Sequence, residues 1–162
     1  MTASATAHPR FAAALTRLGL DDIEIRAFPE ATRTAAQAAD AIGCKVNQIV
    51  KSLVFEADKD PVLVLMNGAS LVDTDLVAAV LGAESVRRAP AEVVRSATGY
   101  AIGGIPPFGH VTGMRALADR GLLAHDTVWA AAGTPHTVFP LAPGALIAHA
   151  GAEIADVARI PG

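Results

Sequence analysis

Two apolar runs constrain this chain more than any other feature. They are residues 48–56, Gln-Ile-Val-Lys-Ser-Leu-Val-Phe-Glu, and residues 61–66, Pro-Val-Leu-Val-Leu-Met. Each is short, rich in strand-forming side chains and bounded by polar residues. Between them lies Asp58-Lys59-Asp60, a segment with turn chemistry, so the pair is expected to form a β-hairpin.

The flanking segments alternate irregularly between helix and strand. Residues 9–19 place Phe11, Leu15 and Leu18 at i, i+4 and i+7 and stop at Gly19, which predicts a helix. Residues 23–28 alternate as a strand closed by Pro29. Thr34 can cap a helix running to about Gly43, with Ala35, Ala38, Ala39 and Ile42 on its inner stripe. Asp73 caps a helix over 74–81 that ends at Gly82, and a short strand follows at 84–88. Pro90 suits the first turn of a helix over 90–97 that stops at Gly99. Segment 99–113 carries five glycines and two prolines, which makes it loop. Residues 127–132 and 136–141 read as strands about Gly133-Thr134-Pro135, and Pro143 opens a last helix to about His149. The order implies an α/β fold with a mixed sheet rather than a strict βαβ repeat. The chain contains no internal repeat, low-complexity tract or linker, so one domain over residues 1–162 is expected.

Composition narrows the function classes. With 162 residues and 52% apolar content the chain can build one core, since domains usually run about 100–150 residues. Its 18% charged residues and net charge of −3 exclude a disordered chain and a strongly basic nucleic-acid binder. A local basic patch at Arg87, Arg88 and Arg95 stays open, either as a solvated face or against a nucleic-acid backbone. Five Phe, one Tyr and one Trp are too few for recognition that stacks a row of bases. The single Cys44 permits no internal disulfide and no thiolate metal cluster, and reads as a packed thiol. Met1 to Arg10 has no apolar signal core and no run approaches the roughly 18 residues of a membrane span, so a cytoplasmic protein is expected.

Two places carry unusual chemistry. Lys51 shares its strand face with Ile49, Leu53 and Phe55, where an ammonium is costly unless it reaches water or an anion. It is either an edge lysine that snorkels to solvent or a lysine at a cleft floor awaiting a phosphate or carboxylate. Gly103-Gly104-Ile105-Pro106-Pro107-Phe108-Gly109-His110 combines close backbone approach with stiffness. Amides of Gly103, Gly104 and Ile105 can point at a carbonyl or phosphate oxygen, although an ordinary surface loop has the same composition. No Walker loop, dinucleotide fingerprint, GxSxG elbow or HExxH pair occurs, and His8, His110, His125, His136 and His149 form no i,i+4 pair. Asp73 and Asp75 are accounted for by capping and the helix dipole.

Taken in order, QIVKSLVF, VLVLMNG, GGIPPFGH and AAGTPHTVF resemble the YbaK/ProX family, stand-alone relatives of the editing domain of bacterial prolyl-tRNA synthetase. The similarity spans about residues 20–160. It implies a mixed α/β domain with a partly barrel-like sheet flanked by helices. It also implies hydrolysis of the ester of a mischarged aminoacyl-tRNA, carrying Cys, Ala, Ser or a similar small residue, with no protein nucleophile, metal or cofactor. Such an enzyme acts on the tRNA 3′ end, with prolyl-tRNA synthetase as a further expected partner and neither DNA nor membrane involved. Lys51 matches the family lysine that holds the 3′-terminal adenosine phosphate region. Gly103 to Pro107 matches the GxxxP loop whose amides orient or polarise the aminoacyl carbonyl, placing Gly103 and Gly104 with Lys51 as catalytic and Ile105 and Pro107 with substrate. Phe28 corresponds to an apolar pocket residue, and His110 and His136 fall beside the loop and the pocket. Where several relatives have a Ser-Gly-Lys-Arg-Gly-like turn, this chain has Ala132-Gly133-Thr134-Pro135-His136, at the border of the amino-acid pocket. A non-catalytic module that binds tRNA ends or aminoacyl compounds is the alternative of the same fold.

Overall fold

A computed structural model of the chain describes residues 6–28 and 34–159. The expected hairpin is its centre: β2 (Val50–Ala57) and β3 (Asp60–Asn67) pair antiparallel from Val50↔Asn67 to Ala57↔Asp60. The turn is tighter than the sequence suggests, because Asp60 already belongs to β3. Asp58 and Lys59 alone make the bend, both at positive φ (48° and 80°), as a two-residue hairpin loop of the primed type requires. The Asp58 carboxylate accepts from the Glu84 and Ser85 amides at 3.0 Å each, which ties the turn to the start of the next strand.

That strand, β4 (Val86–Arg88), lies on the outer edge of β2 at Phe55↔Arg88 through Ala57↔Val86. On the far side of the hairpin, β5 (Arg115–Asp119) joins β3 in parallel, and β8 (Glu153–Ala155) joins β5 in parallel. The sheet order is β4-β2-β3-β5-β8. Neither β5 nor β8 was anticipated from the sequence. A second sheet, β1-β7-β6, is built from β1 (Arg26–Ala27), β7 (Thr137–Leu141) and β6 (Val128–Ala131). The strand expected over 23–28 contracts to two residues, because only Arg26 and Ala27 lie alongside β7. Its expected stop, Pro29, lies outside the described residues. The mixed α/β class holds, with an open seam between the sheets, bridged at Ile49↔Trp129, rather than a closed barrel.

The helices follow their end signals. They are α1 (Pro9–Arg17), α2 (Ala35–Ile42), α3 (Thr74–Leu81), α4 (Ala91–Thr98) and α5 (Pro143–Ala150). Thr34 and Gln37 form a reciprocal capping box at α2, and Asp73 accepts from the Asp75 and Leu76 amides at α3. Four helices end at a left-handed glycine (Gly43, Gly82, Gly99, Gly151). Pro90 sits one position earlier than expected, as the residue preceding α4.

Alternation along the strands sends side chains to both faces of the five-stranded sheet. Val54, Leu63, Leu65, Ala116 and Ala118 pack with Phe11, Phe108, Phe139, Leu122 and Leu146 on one face. Phe55, Val62, Val64, Met66 and Leu117 pack with Val77 of α3 on the other. The rings of Phe11, Phe108 and Phe139 meet at centroid distances of 5.0–6.0 Å and fasten α1, the glycine-rich loop and β7 together. No helix among the described residues is long and apolar enough to cross a membrane.

Because Lys59 occupies a backbone region that favours glycine, Lys59→Gly is expected to raise stability by roughly 0.5–1 kcal/mol. Urea denaturation with an unchanged slope and a higher midpoint checks this; a lower midpoint contradicts it.

Candidate functional site

The outer edge of β2 is paired at both ends and open between them. Ile49 bridges to Trp129, and the Val54 carbonyl accepts from the Ala89 amide at 3.1 Å just past the end of β4. Across Val50–Leu53 no strand pairs on that side among the described residues. The gap opens into a cavity of about 240 Å³ between the two sheets, walled by β2, β6, β7, α2 and the loop after α4. Because the cavity meets β2 edge-on, residues from both strand faces line it, Lys51 and Leu53 as well as Val50, Ser52 and Val54.

Exposure divides the cavity into rim and floor. Arg88, Ile102 and Gly103 are exposed and Lys51 is half-buried, whereas Val50, Ser52, Val54, Ile105, Ala130 and Thr137 are buried. Lys51 and Arg88 give the rim two cations, and no carboxylate lines the cavity among the described residues. The Lys51 ammonium donates to the Ser70 carbonyl at 2.6 Å, which holds the side chain in place. Burial, followed by repulsion from Arg88, holds its pKa below the ordinary lysine value. An ammonium anchored in this way keeps further donors for an anionic or carbonyl ligand.

The glycine-rich loop reaches the cavity through Ile102, Gly103 and Ile105. Gly103 has φ +97°, with open space where a Cβ would stand. Gly104 serves the loop differently: a Cβ there would lie 2.8 Å from Thr134 Cα, so its missing side chain lets the loop press against the β6–β7 turn. Its amide is engaged with the Ala101 carbonyl at 3.1 Å. The Gly103 and Ile105 amides form no hydrogen bond among the described residues.

Of the residues singled out from the sequence, Lys51, Gly103 and Ile105 therefore meet at one cavity. The others stand behind or beside it. Phe28 is buried with Ala38, Ile49 and Val138, the last three of which line the wall. Pro107 is buried in the loop. His110 lies with Nε2 2.8 Å from the Pro106 carbonyl and edge-on to Tyr100, which braces the loop from inside. Desolvation lowers its pKa, opposed by the Pro106 bond. His136 is exposed at the turn, with its amide donating to Thr134 Oγ1 and its carbonyl accepting from Phe28. Cys44 is half-buried against the Phe28 cluster, and burial raises its pKa. No group of three His, Cys, Asp or Glu side chains is placed to hold a metal among the described residues.

The sequence reading missed Ser52, Arg88, Trp129 and Thr137 as lining residues. Ser52 had one signal, a hydroxyl on the otherwise apolar face of Val50 and Val54. Arg88 reads as surface until β4 is placed beside the open edge. Thr134 and Thr137 pair their hydroxyls at 2.7 Å, so the turn that departs from the family pattern presents a satisfied wall.

An aminoacyl-tRNA editing domain matches residues 29–148, and the chain belongs to that family. It is 31% identical over 121 residues to the YwhH protein of Bacillus subtilis, covering 74% of this chain and 76% of that one. A proline–tRNA ligase of Limosilactobacillus fermentum is 35% identical over 94 residues, 55% of this chain but 16% of the ligase. A solved structure described as a candidate trans-editing enzyme for prolyl-tRNA synthetase superposes with TM-score 0.89 at 41% identity, covering 95% of this chain and 99% of that one.

The two glycines make separable predictions. Gly104→Ala must push the loop off Thr134 and is expected to cost about 1–3 kcal/mol, as overpacking does. Gly103→Ala meets no neighbour and carries only the backbone strain of a positive φ, about 1 kcal/mol. Equal midpoints for the two variants in urea would contradict this difference.

Proposed function

We propose that the chain is a trans-acting aminoacyl-tRNA deacylase that hydrolyses the ester joining a wrong, small amino acid to a tRNA 3′ end. The observation that carries this reading is the meeting of Lys51, the GxxxP loop and a small apolar cavity at the open edge of β2. The cavity of about 240 Å³ falls below the 300–1,000 Å³ of sites for drug-sized ligands, and its apolar floor suits a small acyl group. The terminal adenosine and its phosphate then lie at the rim, where Lys51 and Arg88 supply positive charge. Membership of the editing family and the likeness to a candidate trans-editing enzyme support the same reading. The shared segment with proline–tRNA ligases supports tRNA-Pro as the tRNA and a prolyl-tRNA synthetase as the source of the error, and the family resemblance implies Cys, Ala or a similar small residue as the acyl group.

The reaction needs water to attack the ester carbonyl, the bond to the ribose oxygen to break, and a proton to reach that oxygen. Lys51 would fix the nucleotide end, and the Gly103 and Ile105 amides would face the carbonyl oxygen as charge develops on it. Gly104 and His110 would hold that loop in position, with Pro107 stiffening it. Phe28 would back the pocket wall, and His136 would stand at the entrance turn. Assistance to the attack is assigned to the substrate itself, a terminal ribose hydroxyl that takes the water proton as it passes its own to the leaving ribose oxygen, or a bound thiol, with no metal required. Catalysis would then come from positioning and from preorganised donors.

A panel of Cys-, Ala-, Ser-, Thr- and Pro-charged tRNAs, incubated with wild type and Lys51→Ala, tests this. Wild type is expected to deacylate at least one small mischarged ester. Lys51→Ala should lower kcat/KM about 10–100-fold, the loss of one charged hydrogen bond. Binding without turnover above background would instead make the chain a tRNA-end binding module.

A further inference from the structure

The net charge of −3 conceals a segregation of charge. All 16 Asp and Glu residues fall within 21–92 and 119–162, so segments 1–20 and 93–118 carry none. Residues 6–20 and 93–118 meet in the fold. α1 begins against the β6–β7 turn, where the His8 amide donates to the Ala132 carbonyl at 3.0 Å, and Thr134 and Pro135 of that turn line the cavity. α4 ends against α1: a Cβ on Gly99 would stand 2.9 Å from Arg10 Nε, and the Gly99 amide donates to the Arg95 carbonyl at 2.8 Å. From Gly99 the glycine-rich loop runs to the cavity rim at Ile102 and Gly103.

Three arginines stand on this acid-free surface. Arg10, Arg17 and Arg95 are exposed, and among the described residues none of them has an ion-pair partner. Glu92, one turn before Arg95 on α4, makes no pair with it. The exposed Arg87, Arg115 and Arg120 differ, since they are matched by Glu56, Glu153 and Asp156. Arg10 and Arg17 lie two turns apart on one face of α1, about 10 Å along its axis. Burial pushes the Tyr100 phenol up to about 12, opposed by the charges of Arg10 and Arg17. Both guanidiniums therefore stand on the side of α1 where Tyr100 bonds the Gly109 carbonyl of the loop. Helix stability does not account for Arg10, because the dipole disfavours a cation in the first turn.

We propose that Arg10, Arg17 and Arg95 form a docking surface for the sugar–phosphate backbone of a tRNA acceptor stem, beside the cavity that takes the 3′ end. The choice of tRNA as the polyanion rests on the deacylase reading. A small anion would engage one guanidinium, whereas a chain of phosphates engages all three. Phe11, Tyr100 and Phe108 are buried, so the surface offers charge without stacking, which fits a paired stem rather than splayed bases.

The test measures binding of uncharged tRNA-Pro to wild type, to the triple variant Arg10→Gln, Arg17→Gln, Arg95→Gln, and to a control, Arg87→Gln with Arg120→Gln. Between about 50 and 200 mM salt, the triple variant is expected to bind about 10–100-fold more weakly at the low end, with a salt slope shallower by roughly 2–3. The control is expected to keep wild-type affinity. Replacing the same three arginines by lysine keeps the charge and is expected to retain most of the binding, which separates lost contacts from a lost fold. 3′-Alanylamino-adenosine, which has no stem, is expected to bind wild type and triple variant alike. Wild-type tRNA affinity and slope in the triple variant overturn the inference, as does equal weakening in the control or equal weakening of the adenosine compound; ester hydrolysis alongside them leaves the deacylase reading standing. Arginine-dependent tRNA binding with no ester hydrolysed supports the inference and removes the deacylase reading.

Discussion

The site depends on where backbone pairing stops along β2. A strand edge is a row of donors and acceptors that must be paired, covered or left to solvent. Here the inner edge pairs with β3 over its whole length, while the outer edge is taken up only at Ile49 and again from Val54 onward. The bridge to Trp129 joins the two sheets, and β4 ends beside Phe55 and Ala89. The cavity is what remains between these two fastenings. A longer β4 would close it, while the bridge and the packing of Val128, Ala130 and Phe139 into the shared core hold the second sheet against the first.

That arrangement also explains why a lysine is tolerated in an apolar strand. A lysine in the middle of a fully paired, two-sided sheet would have to desolvate its ammonium. At the open edge Lys51 stays half-buried, donates to the Ser70 carbonyl and faces the cavity. The opposite wall is equally conditional. The glycine-rich loop can approach the β6–β7 turn only because Gly104 lacks a side chain against Thr134. Its far end is held by the Tyr100 hydroxyl donating to the Gly109 carbonyl at 2.8 Å and by the Phe11, Phe108 and Phe139 rings.

Local chemistry made much of this fold legible. The hairpin, the capping of α2 and α3, and the glycine stops of α2, α3 and α4 are written in neighbouring residues, and the structure follows them. The strands β5 and β8 are not. Each pairs in parallel with a partner far away in sequence, so no turn announces the pairing. Arg-Ala-Leu-Ala-Asp in β5 also lacks β-branched residues and by propensity suits a helix. It becomes a strand because Ala116, Leu117 and Ala118 fit a sheet buried on both faces. At the site, Lys51 and the glycine-rich loop stood out as departures from local rules. Arg88, Trp129 and Ser52 did not, since their importance comes from the gap in pairing, which is a tertiary fact.

The proposed deacylase activity requires the aminoacyl end to bind in the cleft at the open edge of β2. The most direct measurement is a backbone amide NMR titration with a hydrolysis-resistant 3′-aminoacylamino-adenosine. The expected shifts centre on Val50–Leu53, Gly103–Ile105 and Trp129. Shifts centred instead on the Asp58-Lys59 turn and its neighbours, or no saturable shift at all, would contradict it.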